Sequence, residues 1–145
     1  MTRFLCAASL ALLAACAATG PFPPPGQLTG TWGGDNAGLI ATDTSAHVHI
    51  GCTLGDTKTP IVPDASGHFD VTGSYDVDAF PVARGIIHPA RFTGIVIART
   101  LILTVVLTDT TRQLGPVVLT FGADPRMGPC PICRKPGEMA ARRSL

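Results

Sequence analysis

Apolar and polar residues alternate with a period of two along most of this chain, the spacing of half-buried strands. Val48, Ile50 and Cys52 fall on one parity, His47 and His49 on the other. Phe69 and Val71 alternate with His68, Asp70 and Thr72, and Phe92, Gly94 and Val96 alternate with Arg91, Thr93 and Ile95. The longest run sets Leu101, Leu103, Val105 and Leu107 against Ile102, Thr104, Val106 and Thr108; Val117, Leu119 and Phe121 follow against Val118 and Thr120. Turn formers separate these runs at Gly33-Gly34-Asp35-Asn36, Asp43-Thr44-Ser45, Pro63-Asp64-Ala65-Ser66-Gly67, Ala98-Arg99-Thr100 and Asp109 to Gly115. The pattern predicts about eight short strands over residues 28–133 and an all-β domain, a small antiparallel β-barrel or a related sandwich. Ile95, Ile97, Ile102 and Val106 fall on the outward parity, either as a contact surface or as a face covered by the tail or a second sheet.

The N-terminus departs from this pattern. Arg3 is followed by an uncharged apolar stretch from Leu5 to Ala15 and then by small residues, the layout of an export signal. About eleven apolar residues fall short of the roughly 20 that span a bilayer as a helix. Leu13-Ala14-Ala15-Cys16 resembles the lipobox of bacterial lipoproteins. That resemblance implies removal of residues 1–15 and lipidation of Cys16, with diacylglycerol and an amide-linked fatty acid such as palmitate. Several acyl chains anchor a protein far more firmly than one. An ordinary secretory cut near Ala18 is the alternative. Ala17, rather than Asp, follows the cysteine and leans toward the outer membrane or cell surface over the inner membrane. Residues 16–27 then form a tether whose Pro21-Phe22-Pro23-Pro24-Pro25 run favours polyproline II.

Composition narrows the range of functions. Loss of Arg3 from the 11 Lys plus Arg leaves the mature chain balanced against its 10 Asp plus Glu, so no electrostatic case exists for nucleic acid. The 16 Gly and 13 Pro fit a turn-rich β domain. Arg134, Lys135, Arg142 and Arg143 stand against Glu138 in residues 134–145, read as a solvated basic tail, with anionic lipid as the alternative partner.

Leu28-Thr29-Gly30-Thr31-Trp32-Gly33-Gly34 resembles the opening of a group of uncharacterised bacterial lipoproteins. The likeness continues through Cys52, Pro63 to Phe69, Pro89 to Gly94, the Leu101 to Leu107 strand, Leu114-Gly115-Pro116, Pro125-Arg126 and Cys130. It carries no assigned activity. Gly30-Thr31-Trp32 also has a looser likeness to avidins and lipocalins, in which such a tryptophan plugs one barrel end. That likeness implies a barrel and says little about ligand. The family pattern implies a Cys52–Cys130 disulfide, with Cys52–Cys133 as the alternative. Outside the cytoplasm such a bond persists.

Candidate chemistry is sparse. Cys130-Pro131-Ile132-Cys133 has redox spacing but sits in a Pro- and Gly-rich tail, away from the helix that would lower a thiol pKa. His47, His49, Cys52, Cys130 and Cys133 are zinc ligands by type, yet a bulge at Gly51 would be needed to bring Cys52 to the histidines, and no metal or other cofactor is expected. His68 with Asp70, and Asp76 with Asp78, share strand faces as any solvated strand would. No catalytic residue is assigned and no enzymatic activity is expected. The resulting expectation is a non-enzymatic envelope lipoprotein, membrane-held at Cys16, that binds a small apolar ligand or an envelope component. A protein-binding barrel such as a lysozyme-type inhibitor, and a metal or redox site on Cys52, Cys130 and Cys133, are the alternatives.

Overall fold

The structure, a computed structural model, describes residues 26–78 and 85–130. Eight strands run in chain order: β1 (Gly30–Gly34), β2 (Ala37–Ala41), β3 (Ala46–Ile50), β4 (Thr53–Thr57), β5 (His68–Asp76), β6 (Ile87–Ile97), β7 (Thr100–Leu107) and β8 (Gln113–Phe121). Each pairs antiparallel with the next, and β8 returns to β1, so the sheet closes as an up-and-down barrel. Closure removes the free edges that a sandwich would have to protect.

The alternation read in the sequence becomes inside and outside. Trp32, Leu39, Val48, Tyr75, Phe92, Leu101, Leu103, Val105 and Leu119 are buried. Trp32, Val48, Tyr75, Phe92, Leu101, Leu103, Val105 and Leu119 have 0% exposure and so leave no surface on which a water molecule could rest. An eight-stranded barrel is just wide enough for its own side chains to fill it, and this one is filled. Small inward residues make room for large ones. A Cβ on Gly73 would come within 2.8 Å of the Phe92 ring, and one on Gly94 within 2.7 Å of Phe69. Trp32 leans on Phe121 with ring centroids 5.1 Å apart and donates its indole N–H to the Thr29 carbonyl at 3.1 Å. Leu28 and Ile61, joined by a backbone bond of 2.8 Å, pack into the same core.

Buried polar atoms are paired among the described residues. Thr57 accepts from the Ala46 amide and donates to the Thr59 carbonyl, each at 2.8 Å. The Tyr75 hydroxyl meets Thr53 Oγ1 at 2.8 Å, and burial pushes the phenol pKa above its ordinary value.

Three turn readings need correction. Gly33 and Gly34 belong to β1, and the turn is confined to Asp35 and Asn36, the latter at φ 54°. β8 begins at Gln113, inside the expected Asp109–Gly115 break, and absorbs Gly115-Pro116 as an irregularity in its register with β7. Cys52 is not a strand residue in line with Val48 and Ile50. With Gly51 at φ 61° it makes the tight β3–β4 turn, where a left-handed residue suits the strand twist.

The seam between β1 and β8 has two paired positions, Trp32 with Phe121 and Gly33 with Thr120, against nine along β5 and β6. The chain after β8 extends that seam. Gly122 donates to the Thr31 carbonyl, Arg126 donates to Gly34, and Asn36 donates back to Arg126. Residues 122–130 thus form a strap that crosses the outer face of β1 and β2 and runs parallel to β1 at Asp35.

Candidate functional site

The strap lies on glycine. Gly33 and Gly38 are cross-strand partners in the β1–β2 hairpin. A Cβ on Gly33 would overlap the Ala123–Asp124 backbone, and one on Gly38 would overlap Pro125. Two opposed glycines on the outer face therefore form a saddle on which Asp124 and Pro125 sit, the close backbone approach that strand glycine permits. Arg126 fixes the crossing by pairing with the Asp35 carboxylate, at 2.8 Å from Nε and 2.6 Å from Nη2. Both groups are exposed, so this ion pair orients the strap and adds little to stability. Cys130 then bonds to Cys52 in the β3–β4 turn, with Cα atoms 5.5 Å apart. The pairing implied by the family likeness is the one the structure shows, and it holds the strap to a turn rather than to a strand. With both sulfurs in that bond, neither Cys52 nor Cys130 has a thiolate for a metal.

Beside the strap, Gly38, Leu39, Ile40, His47, His49, Pro125 and Met127 line a cleft of about 180 Å³. Strand register builds its floor. His47 stands opposite Ile40 on one side and Asp56 on the other, while His49 pairs with Gly38. The Asp56 carboxylate is 2.6 Å from His47 Nδ1, and His47 Nε2 is 2.9 Å from His49 Nε2. One hydrogen lies between the two Nε2 atoms; when both rings are neutral and Asp56 takes the Nδ1–H of His47, His47 Nε2 accepts it from His49 Nε2–H. The His49 pKa is held below its ordinary value, first by burial and then by the neighbouring His47, with Asp56 opposing. His49 is thereby kept neutral near pH 7.

The other paired groups singled out in the sequence part company. Asp70 is clamped by Arg91 across β5 and β6. His68 meets Ser66 at 2.9 Å, within a turn whose Asp64 carboxylate accepts from the Ser66 amide, the Ser66 hydroxyl and the His68 amide. These bonds, Ser66 foremost, hold the Asp64 pKa below its ordinary value. Asp76 accepts from the Asp78 amide at 2.9 Å. His88, unmarked in the sequence, sits half-buried near one rim with Asp109 at 2.9 Å.

Ile95, Ile102 and Val118 form a cross-strand row on the outer wall of β6, β7 and β8. The described part of the tail crosses β1 and β2 instead, and a closed barrel has no second sheet to cover this row. Cys16, Cys133 and the basic residues of 134–145 lie outside the described residues.

Comparison with known families, curated proteins and solved structures finds no match. Among the described residues no group of three or more His, Cys, Asp or Glu gathers in metal-binding geometry.

Proposed function

We propose that this chain is a non-enzymatic binding protein of the bacterial cell envelope, acylated at Cys16 and held at the outer membrane or cell surface. The observation that carries the reading is the Leu13-Ala14-Ala15-Cys16 sequence. The Cys52–Cys130 bond supports it, because the reducing cytosol disfavours stable disulfides. The tether of residues 16–27 then leads into a barrel that begins to pack at Leu28.

A filled interior moves binding to the outside. An apolar ligand held within the barrel, as in lipocalins, would need space that Trp32, Val48, Tyr75, Phe92 and Leu103 occupy. The barrel is then a rigid scaffold, and its contacts are made on the strap-side cleft and the Ile95–Ile102–Val118 row. Metabolic labelling of the full chain with an alkyne fatty acid tests the anchor. Label is expected on the wild type and lost in Cys16→Ser, with the wild-type protein in the membrane fraction. Label that persists in Cys16→Ser, or a wild-type chain found in the cytosol, overturns the reading.

A further inference from the structure

The two imidazoles in the strap-side cleft bring two ring nitrogens together at one point. His47 Nε2 and His49 Nε2 lie 2.9 Å apart, in hydrogen-bond contact. Asp56 holds the far nitrogen of His47 at 2.6 Å. That is the carboxylate–histidine arrangement which fixes tautomer and ring orientation in metal sites. Met127 of the strap lines the same cleft and brings a thioether. The rest of the lining is Gly38, Leu39, Ile40 and Pro125, none of which offers a competing side-chain donor.

The geometry points to a binding site for monovalent copper, with His47 Nε2 and His49 Nε2 as nitrogen ligands and the Met127 sulfur as the third donor. Ligand type decides the metal. Two imidazoles with a thioether form a soft, low-coordinate set that suits Cu(I). Zinc sites are built from more ligands, typically thiolates, imidazoles and carboxylates. Here Asp56 is committed to His47, and Cys52 and Cys130 are committed to each other.

The movement required is small. A metal about 2.0 Å from each nitrogen sets the two nitrogens about 3.5 Å apart at the trigonal angle of a three-donor site, so the rings part by about half an ångström. His49 shifts its proton from Nε2 to Nδ1, and the lone pair this frees on Nε2 meets the metal. His47 keeps its proton on Nδ1 toward Asp56. No proton is released and no electron is transferred.

The test uses the full chain with Cys6, Cys16 and Cys133 changed to Ser, so that no free thiol competes, and with the Cys52–Cys130 bond intact. Cu(I) is titrated anaerobically with ascorbate against a chromophoric Cu(I) chelator. One equivalent is expected to bind at micromolar affinity or tighter. His47→Ala and His49→Ala each weaken binding at least about 100-fold, and Asp56→Asn weakens it about 10-fold, the range for an outer-shell partner. Copper X-ray absorption on the unsubstituted cleft is expected to show two nitrogen neighbours and one sulfur, with the sulfur lost in Met127→Leu. The histidines stand on the outer wall, so thermal melts should be unchanged. The inference is overturned if no Cu(I) is retained at micromolar concentration. It also fails if the His47→Ala/His49→Ala double variant binds as well as its parent, if the absorption spectrum lacks nitrogen ligands, or if Zn(II) binds more tightly than Cu(I).

Discussion

Tyr75 shows at the residue scale how burial and one hydrogen bond set chemistry. It is the only tyrosine in the chain, so its ionisation can be read directly by ultraviolet absorbance. Burial raises the phenol pKa, against smaller opposing contributions from the Thr53 hydrogen bond, the Ile50 backbone and Arg112. A raised folded-state value means that stability is complete below the unfolded phenol value, near 10, and is lost as pH rises through the folded value. The native phenol is therefore expected to titrate at higher pH than that of the urea-unfolded chain, with melting temperature falling over the same alkaline interval. Coincident native and unfolded titrations would show Tyr75 to be solvated. Gly38 gives a second residue-scale prediction. Gly38→Ala places a Cβ against Pro125, whose backbone is held on both sides of the contact. Overpacking of this kind costs about 1–3 kcal/mol, which a thermal melt should register as a drop of several degrees. Ala at Ile40, exposed on the same strand, should register little. The Gly33–Gly38 pairing was not read from the sequence, because Gly33 stands in a Gly-Gly-Asp-Asn run with turn composition. Nor could the object approaching be read there. The His47–Asp56 contact was hidden for a related reason, since it depends on the register across the Gly51–Cys52 turn.

At the scale of elements, the strands were the legible part, and their connections the less legible one. Where one face of a strand is buried, a slip of one residue would exchange core and solvent faces, so alternation fixes the parity of Leu101–Leu107 and its neighbours firmly. Turn composition is weaker, because glycine serves both turning and clearance. Gly33 and Gly34 read as a turn but stay in β1, where the clearance is used by the strap and by the Val118 carbonyl. The strap has no periodicity to read: its residues make single backbone bonds to β1 and Asn36 rather than a ladder. Its attachment should accordingly depend on the covalent bond. The Cys52–Cys130 link spans a sequence separation of 78, and in the chain-entropy model a loop of that size contributes about 4–5 kcal/mol. Cys130→Ser is expected to lower stability by about 2–5 kcal/mol in denaturant unfolding. Hydrogen exchange should separate local from global effects. The Asn36 and Arg126 amides, whose bonds join strap to barrel, should exchange faster, while amides in the long β5–β6 and β6–β7 ladders exchange only with global unfolding. Equal acceleration everywhere would mean that the strap is part of the folding unit rather than an attachment to it.

The described residues form a barrel with an apolar inside and a mostly polar outside, the reverse of a transmembrane barrel, whose lipid face is apolar and whose lumen is polar. The interior carries the folding energy, and the proposed binding is left to the surface. That division is testable, because a filled barrel and a ligand-holding barrel respond differently to a deletion in the core. Phe92 sits between Tyr75 and Val105, fully buried, with its ring in the space left by Gly73. Phe92→Ala is expected to destabilise by about 3–5 kcal/mol, since the surrounding strands are tied into a closed sheet and collapse only partly into the void. The same variant should gain a property that the wild type lacks. An apolar cavity lined by buried aliphatic and aromatic side chains stays dry and accepts a small apolar solute. Benzene or xenon should therefore raise the melting temperature of Phe92→Ala in a concentration-dependent way, as binding to the native state requires, and leave the wild type unchanged. A wild-type barrel stabilised by the same solutes would mean that its interior holds room for a ligand after all, and the outer cleft and the Ile95–Ile102–Val118 row would lose their claim as the binding surfaces.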